Sequence, residues 1–274
     1  MNQSPKIKDD IEAIEQALIS QWSIYGHAPG GAWHKESDLV WAEAPISQLP
    51  YNAVVWCQID DRSLLRIDQV IQHFRNREVQ FMWIVHPTAR PVDLVDHLEA
   101  RGLSHAEDVT GMALDLSGWK PVLEIRDSPV AYQEVNDEES RRLYDDLLLT
   151  YWELPSESHF YAVGMSEWSQ NSGVPGMRWV AILEGEPVGK VYLSLMGSED
   201  TASIFGVFVK PQARGYGIAG ILSQLAISRA KALGLKRVVL HSSAMALNIY
   251  KKLGFEERCT LQLYGTTALH SPQL

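Results

Sequence analysis

The stretch Val207–Leu222, VFVKPQARGYGIAGIL, holds a strand, a basic glycine-rich bend and the opening of a helix. Val207, Phe208 and Val209 are β-prone residues of a buried strand. Pro211 lacks the N–H that a central strand needs, so the strand ends before it. Ile218, Ile221, Leu222, Leu225 and Ile227 follow a 3.6-residue period, and Gly234 supplies the stop. Between strand and helix stand Arg214, Gly215, Tyr216 and Gly217. Glycines let the backbone aim its N–H groups at a ligand, and a helix start adds unpaired donors and about half a positive charge. Such a bend suits an anion, phosphate above all.

Three phosphate loops compete for it. The nucleotide-triphosphate loop G-x-x-x-x-G-K-[ST] is excluded, because no Lys-Ser or Lys-Thr follows. Gly215, Gly217 and Gly220 do satisfy G-x-G-x-x-G. That dinucleotide fingerprint, however, wants its first glycine right after the strand and an acidic residue about 20 positions on. Neither condition is met, since no acid lies between Val238 and His241. The third pattern, R-x-x-G-x-A, is filled by Arg214, Gly217 and Ala219 after a V-x-P strand end at Val209 and Pro211. Downstream, Arg237–Leu240 (RVVL) reads as another buried strand. The stretch Asn248-Ile249-Tyr250-Lys251-Lys252-Leu253-Gly254-Phe255 reads as a helix closed by glycine. An ordinary strand–turn–helix with glycine caps explains the loop alone, but not both motifs in register.

Together these two segments resemble the coenzyme A loop and the A-x-x-L-Y-x-x-x-G-F helix of the GNAT family of acetyl-CoA-dependent N-acyltransferases. The resemblance covers the second half of the chain. It implies an α/β fold of the α+β, mixed-sheet kind, and acetyl-CoA as cosubstrate with no metal. It also implies that Val207, Phe208, Val209, Arg214, Gly215, Tyr216, Gly217, Ile218 and Ala219 hold the cofactor. Tyr250 is implied as the donor that helps the thiolate leave. Ser243, seven residues before Tyr250, stands where many members have an asparagine on the pantetheine arm, and a serine offers one such bond without the amide's paired donor and acceptor.

The first half echoes the second. Leu98-Glu99-Ala100-Arg101-Gly102-Leu103 can be laid on Tyr250–Phe255, and the strand ending near Ile59 with its following helix on the cofactor strand and helix. At the place of the glycine bend stand Asp60, Asp61, Arg62 and Ser63. Two carboxylates and no glycine would repel a pyrophosphate. The expected organisation is a tandem GNAT protein, with a degenerate copy over residues 1–119 and an acetyl-CoA-binding domain over 120–274. An unrelated helix–strand domain is the alternative for the first half.

The rest of the chain bounds these readings. Its 274 residues suffice for one large or two ordinary domains, and 46% hydrophobic with 21% charged residues is a globular composition. The formal net charge of −10 argues against nucleic acid as a general partner. Two distant cysteines, Cys57 and Cys259, suit a reducing compartment. No apolar run approaches a membrane span, so a cytoplasmic protein with no membrane partner is expected.

Helices are expected over residues 9–24, over Ile67–Arg77 and over Pro91–Arg101. Strands are expected over Tyr51–Ile59, Val79–Val85 and Met112–Leu116, with a linker at Gly118–Pro121. In the second half, strands are expected at Val122–Ile125 and Val130–Val135, and a helix capped by Asn136 with Glu139 in the capping box. A hairpin of Trp179–Leu183 and Val188–Leu195 and a strand over Thr201–Val209 follow.

The chemistry implied is attack of a free amine, on a small molecule or peptide, upon a thioester. The strand Thr201–Val209 carries no carboxylate. Glu153, Glu157, His159 and His241 are the alternatives for a general base, with Trp152 and Tyr161 as further candidates for the acceptor cleft. Monomer and homodimer both stay open, as does a non-catalytic protein that keeps coenzyme A as a ligand.

Overall fold

The computed structural model describes residues 5–124 and 128–266. The first half runs α1 (Pro5–His27), β1 (Ala32–Lys35), β2 (Leu39–Glu43), β3 (Ala53–Cys57), α2 (Leu65–Asn76), β4 (Met82–Val85), α3 (Leu94–Glu99) and β5 (Ser104–Asp115). The second runs β6 (Val130–Glu134), α4 (Glu138–Tyr151), α5 (Ser156–Asn171), β7 (Gly176–Leu183), β8 (Glu186–Ser194) and β9 (Thr201–Val209). It continues with α6 (Ile218–Ala232), β10 (Arg237–Ser242), α7 (Leu247–Lys252) and β11 (Glu256–Gly265). None of the described helices is long and apolar enough to cross a membrane.

The helices follow the apolar stripes. Ile67, Val70, Ile71 and Phe74 bury one side of α2, and Ile11, Ile14, Leu18 and Trp22 bury one side of α1. Two elements start differently from expectation. Asp137, not Asn136, caps α4, with its carboxylate accepting from the Ser140 N–H and the Ser140 hydroxyl accepting from the Asp137 N–H. Serine at the third helical position thus closes the box that Glu139 was expected to close. Val122–Glu124 is not a strand, because its backbone is taken by a side chain. Gln224 of α6 accepts from the N–H groups of Val122 and Leu123 and donates to the Leu123 carbonyl. Ile125, the end of that expected strand, lies outside the described residues. Strands β1, β2 and β11 had no counterpart in the sequence reading.

All eleven strands form one mixed sheet in the order β1-β2-β3-β4-β11-β5-β10-β9-β8-β7-β6. This order has an approximate twofold symmetry, with β1–β5 mapping onto β7–β11 in chain order. β3 and β4 pair in parallel, as do β9 and β10, each pair joined through a helix. At the centre the last strand of each half has crossed over. β11 lies antiparallel between β4 and β5, and β5 between β11 and β10. The two halves are interlocked by these strands.

The sheet separates two layers. On one face, α6 and α7 pack with Leu114, Leu116 and Trp119, and α2 and α3 pack with Val54, Trp83 and Tyr264. On the other, α1 crosses the middle of the sheet against Ala53, Ile84, Ala113, Val239 and Leu261, touching strands of both halves. Farther along that face lies α4, over Val180 and Phe208.

Candidate active site

The parallel pairing of β9 with β10 lasts only from Thr201↔Arg237 to Ile204↔Leu240. Beyond it β9 keeps its partner β8 and β10 keeps its partner β5, so the two strands part and leave a wedge. A register shift in β9 opposite Lys190 and Tyr192 marks a bulge, where Gly206 takes a φ of 57°. The bulge resets the alternation of side chains. Val207 and Val209 turn to the α6 layer, while Phe208 turns away to lie 5.2 Å from the Tyr151 ring. A cavity of about 1030 Å³ fills the wedge and reaches both layers and both halves of the chain.

At one mouth is the glycine bend. After a single turn at Pro211–Ala213, Gly215 takes φ 91° and Gly217 φ 73°, the latter capping α6. A Cβ at either would meet no atom within 4 Å, so it is the backbone angle and not space that demands glycine. No side chain caps α6, and its first intrahelical bond is from Ile221 to Gly217. The earlier N–H groups of the helix are left for a ligand at a site of 15-residue helix polarity.

The structure gathers most of the expected site residues around this space. Val207, Val209, Arg214, Gly215, Gly217, Ile218, Ala219, Ser243 and Tyr250 all line the cavity. Two do not: Phe208 faces the α4 layer, and Tyr216 is 55% exposed. The Ser243 hydroxyl is buried with no hydrogen-bond partner among the described residues, a polar group that a ligand seated in the wedge would satisfy. The bend, the wedge and this orphaned hydroxyl fit a pantetheine diphosphate.

Tyr250, the buried residue of α7, packs edge-on against Phe255 at 5.8 Å. Burial raises its pKa strongly, with a bond to Ser223 opposing, so the phenol stays protonated at neutral pH. Of the four base candidates, Glu153 and His241 reach the cavity, while Glu157 and His159 do not. The His159 ring is bonded to the Leu154 carbonyl, 2.8 Å away. Burial pushes His241 down to about 4, which leaves it neutral but a weak base.

The far end of the cavity holds residues that the sequence reading missed. Lys190 of β8 is 1% exposed, donates to the Gly206 carbonyl at 2.9 Å, and lies 4.9 Å from the Tyr151 ring centroid and 5.3 Å from that of Tyr144. Burial, then the nearby Arg178, pushes its pKa down to about 7. Arg178 of β7 stacks over Tyr192 at 4.8 Å and donates to the Ser169 hydroxyl at 2.7 Å. From the first half come Trp22, Tyr25 and Tyr51. A lysine inside the otherwise apolar run VGKVYLS was the one available signal.

Among the described residues of the first half, no glycine stands at the corresponding turn. At the place of the bend the Asp60 carboxylate caps its own turn, accepting from the Arg62 N–H at 2.8 Å.

Residues 137–255 match the model of the acetyltransferase (GNAT) family. An uncharacterized N-acetyltransferase of Escherichia coli K12 is 37% identical over 83 residues, 28% of this chain and 50% of the relative. One of Methanocaldococcus jannaschii is 36% identical over 88 residues, 29% of this chain and 39% of the relative. The chain thus spans half or less of the curated relatives it matches. Among solved structures, a GCN5-related N-acetyltransferase from Kribbella flavida superposes with a TM-score of 0.66 at 15% identity, covering 91% of this chain and 95% of that one. A tandem GNAT protein from the clavulanic acid biosynthesis pathway gives 0.62 at 14% identity, covering 94% and 95%. Residues 137–255, less than half of the chain, carry the match to the GNAT family, and the fold over nearly the whole chain is the GNAT fold of these solved structures.

Proposed function

We propose that the protein is an N-acetyltransferase that moves the acetyl group of acetyl-CoA to a primary amine of a small molecule or peptide in the cytoplasm. In this reading residues 120–274 bind acetyl-CoA, and residues 1–119 are a degenerate copy that supplies wall and support. The observation that carries it is the wedge between β9 and β10, with a glycine bend at its mouth and a protonated tyrosine in its wall.

Acetyl-CoA supplies an activated thioester. The N–H groups around Gly215, Gly217 and the start of α6 hold its diphosphate, with Arg214 adding a full positive charge. The unpaired edge of β9 and the Ser243 hydroxyl take the polar groups of the arm. The amine nitrogen bonds to the acetyl carbon as the carbon–sulfur bond breaks, and the sulfur takes a proton from the Tyr250 hydroxyl. The proton shed by the nitrogen restores the phenol. Burial keeps the Tyr250 phenol protonated, so its hydroxyl has a proton or hydrogen bond to give to the leaving sulfur.

Release of free thiol across an amine panel tests this. Tyr250→Phe is expected to lower kcat by about 10²-fold with acetyl-CoA affinity unchanged. An unaltered kcat would remove Tyr250 from the chemistry. The absence of a carboxylate on β9 favours a second reading, a non-catalytic coenzyme A-binding protein. Binding of acetyl-CoA without transfer to any amine would establish that reading instead.

A further inference from the structure

Acetyl transfer as described leaves the far end of the cavity unused, and that end is the most unusual part of the molecule. Arg178 and Lys190 both lie over the face of one ring, Tyr144, at 5.7 and 5.3 Å. Their hydrogen bonds go to neutral oxygens, the Ser169 hydroxyl and the Gly206 carbonyl. Neither is in an ion pair among the described residues. The charged neighbour on the adjoining helix is Asp145, which accepts from the Ser166 hydroxyl at 2.6 Å. Burial pushes its pKa up to about 6, which leaves it largely ionised at neutral pH, bonded to the Ser166 hydroxyl and in an ion pair with neither Arg178 nor Lys190 among the described residues.

Arg178 and the protonated form of Lys190 repel each other in a low-dielectric site, so Lys190 is only partly charged near pH 7, and each charge loses hydration without a hydrogen-bonded anion. Ring faces offset part of this cost. A bound carboxylate would offset far more, because guanidinium presents a planar fork of donors that a carboxylate meets with two parallel bonds. Around the pair, Tyr25, Tyr51 and Trp152 give the cavity an aromatic wall that a hydrocarbon body would cover.

We propose that the acceptor is an amine that also carries a carboxylate, seated by Arg178 and Lys190 with its apolar body against Tyr25, Tyr51 and Trp152. This rests on the acetyl-transfer reading for the amine, but the carboxylate seat is read from the cation pair alone.

The test compares matched amines with and without the acid at saturating acetyl-CoA: phenylalanine with phenethylamine, 5-aminopentanoate with pentylamine, and lysine with cadaverine. In the wild-type chain the acid of at least one pair should be favoured at least 10-fold in kcat/KM. In Arg178→Gln that ratio should fall to near one through KM, with acetyl-CoA affinity unchanged as the check on folding. A preference for the carboxylate-free amine in every pair, or a preference that survives Arg178→Gln, overturns the proposal. Should no amine be acetylated, titration calorimetry with 3-phenylpropanoate and pentanoate reads the seat by itself. Binding that Arg178→Gln weakens at least 10-fold upholds the seat while the transfer reading fails, and absence of binding to the wild type overturns the seat.

Discussion

Lys190 sets the strongest condition on any account at the residue scale. Its pKa falls from an ordinary 10.5 to about 7 because burial disfavours the ammonium. Between these values the unfolded chain binds a proton that the folded chain has lost. Stability therefore rises with pH across this window, by up to about 1.4 kcal/mol per pH unit from this one group. Below about pH 7 the full cost of a buried charge is present. We expect denaturant unfolding of the wild type to gain more stability from pH 7 to 9.5 than that of Lys190→Met. Parallel pH profiles for the two would show that Lys190 does not carry the shift. The sequence displays the lysine but not its setting, because its rings come from Tyr144 and Tyr151, some 40 positions earlier on a different element. Arg214, Gly215 and Gly217 were legible for the opposite reason. A phosphate cradle is built from consecutive backbone, so its residues stand together in the chain.

The same contrast between local and distant information governs the elements. Helices α2 and α6 and strand β9 declare themselves through period and flanking residues, and the structure keeps them close to their expected bounds. Strand β11 does not. Its sequence EERCTLQLYG acquires a role only by entering the sheet between β4 and β5, which no local pattern records. The capping of α4 shows this on a smaller scale, where Asp137 and Ser140 displaced an equally plausible pair one residue earlier. The exchange of β5 and β11 has a direct consequence. A chain of residues 120–274 lacks β5, which leaves β10 with a bare edge and β11 without either neighbour. Gel filtration and thermal unfolding of that fragment are expected to show aggregation and no cooperative transition. A monomeric fragment that melts cooperatively and binds acetyl-CoA would contradict the interlocked description.

Across the whole molecule, a nearly symmetric sheet carries an asymmetric site. Each half offers a parallel strand pair and a helix behind a turn, but only the second turn has glycines at positive φ opening into a cavity. The first has Asp60 capping itself, and its half contributes Trp22, Tyr25 and Tyr51 to the other half's site. The repeat was faintly visible in the sequence because Gly102 and Gly254 each close a helix ahead of a strand. The way the two halves share one cavity was not, since it arises from α1 crossing the centre of the sheet. The most direct measurement is a calorimetric titration of the intact chain with acetyl-CoA, repeated on Gly217→Glu. One site per chain is expected in the wild type and none in the variant, where charge and a side chain at φ 73° spoil the bend. Two sites per chain, or undiminished binding by Gly217→Glu, would contradict that expectation.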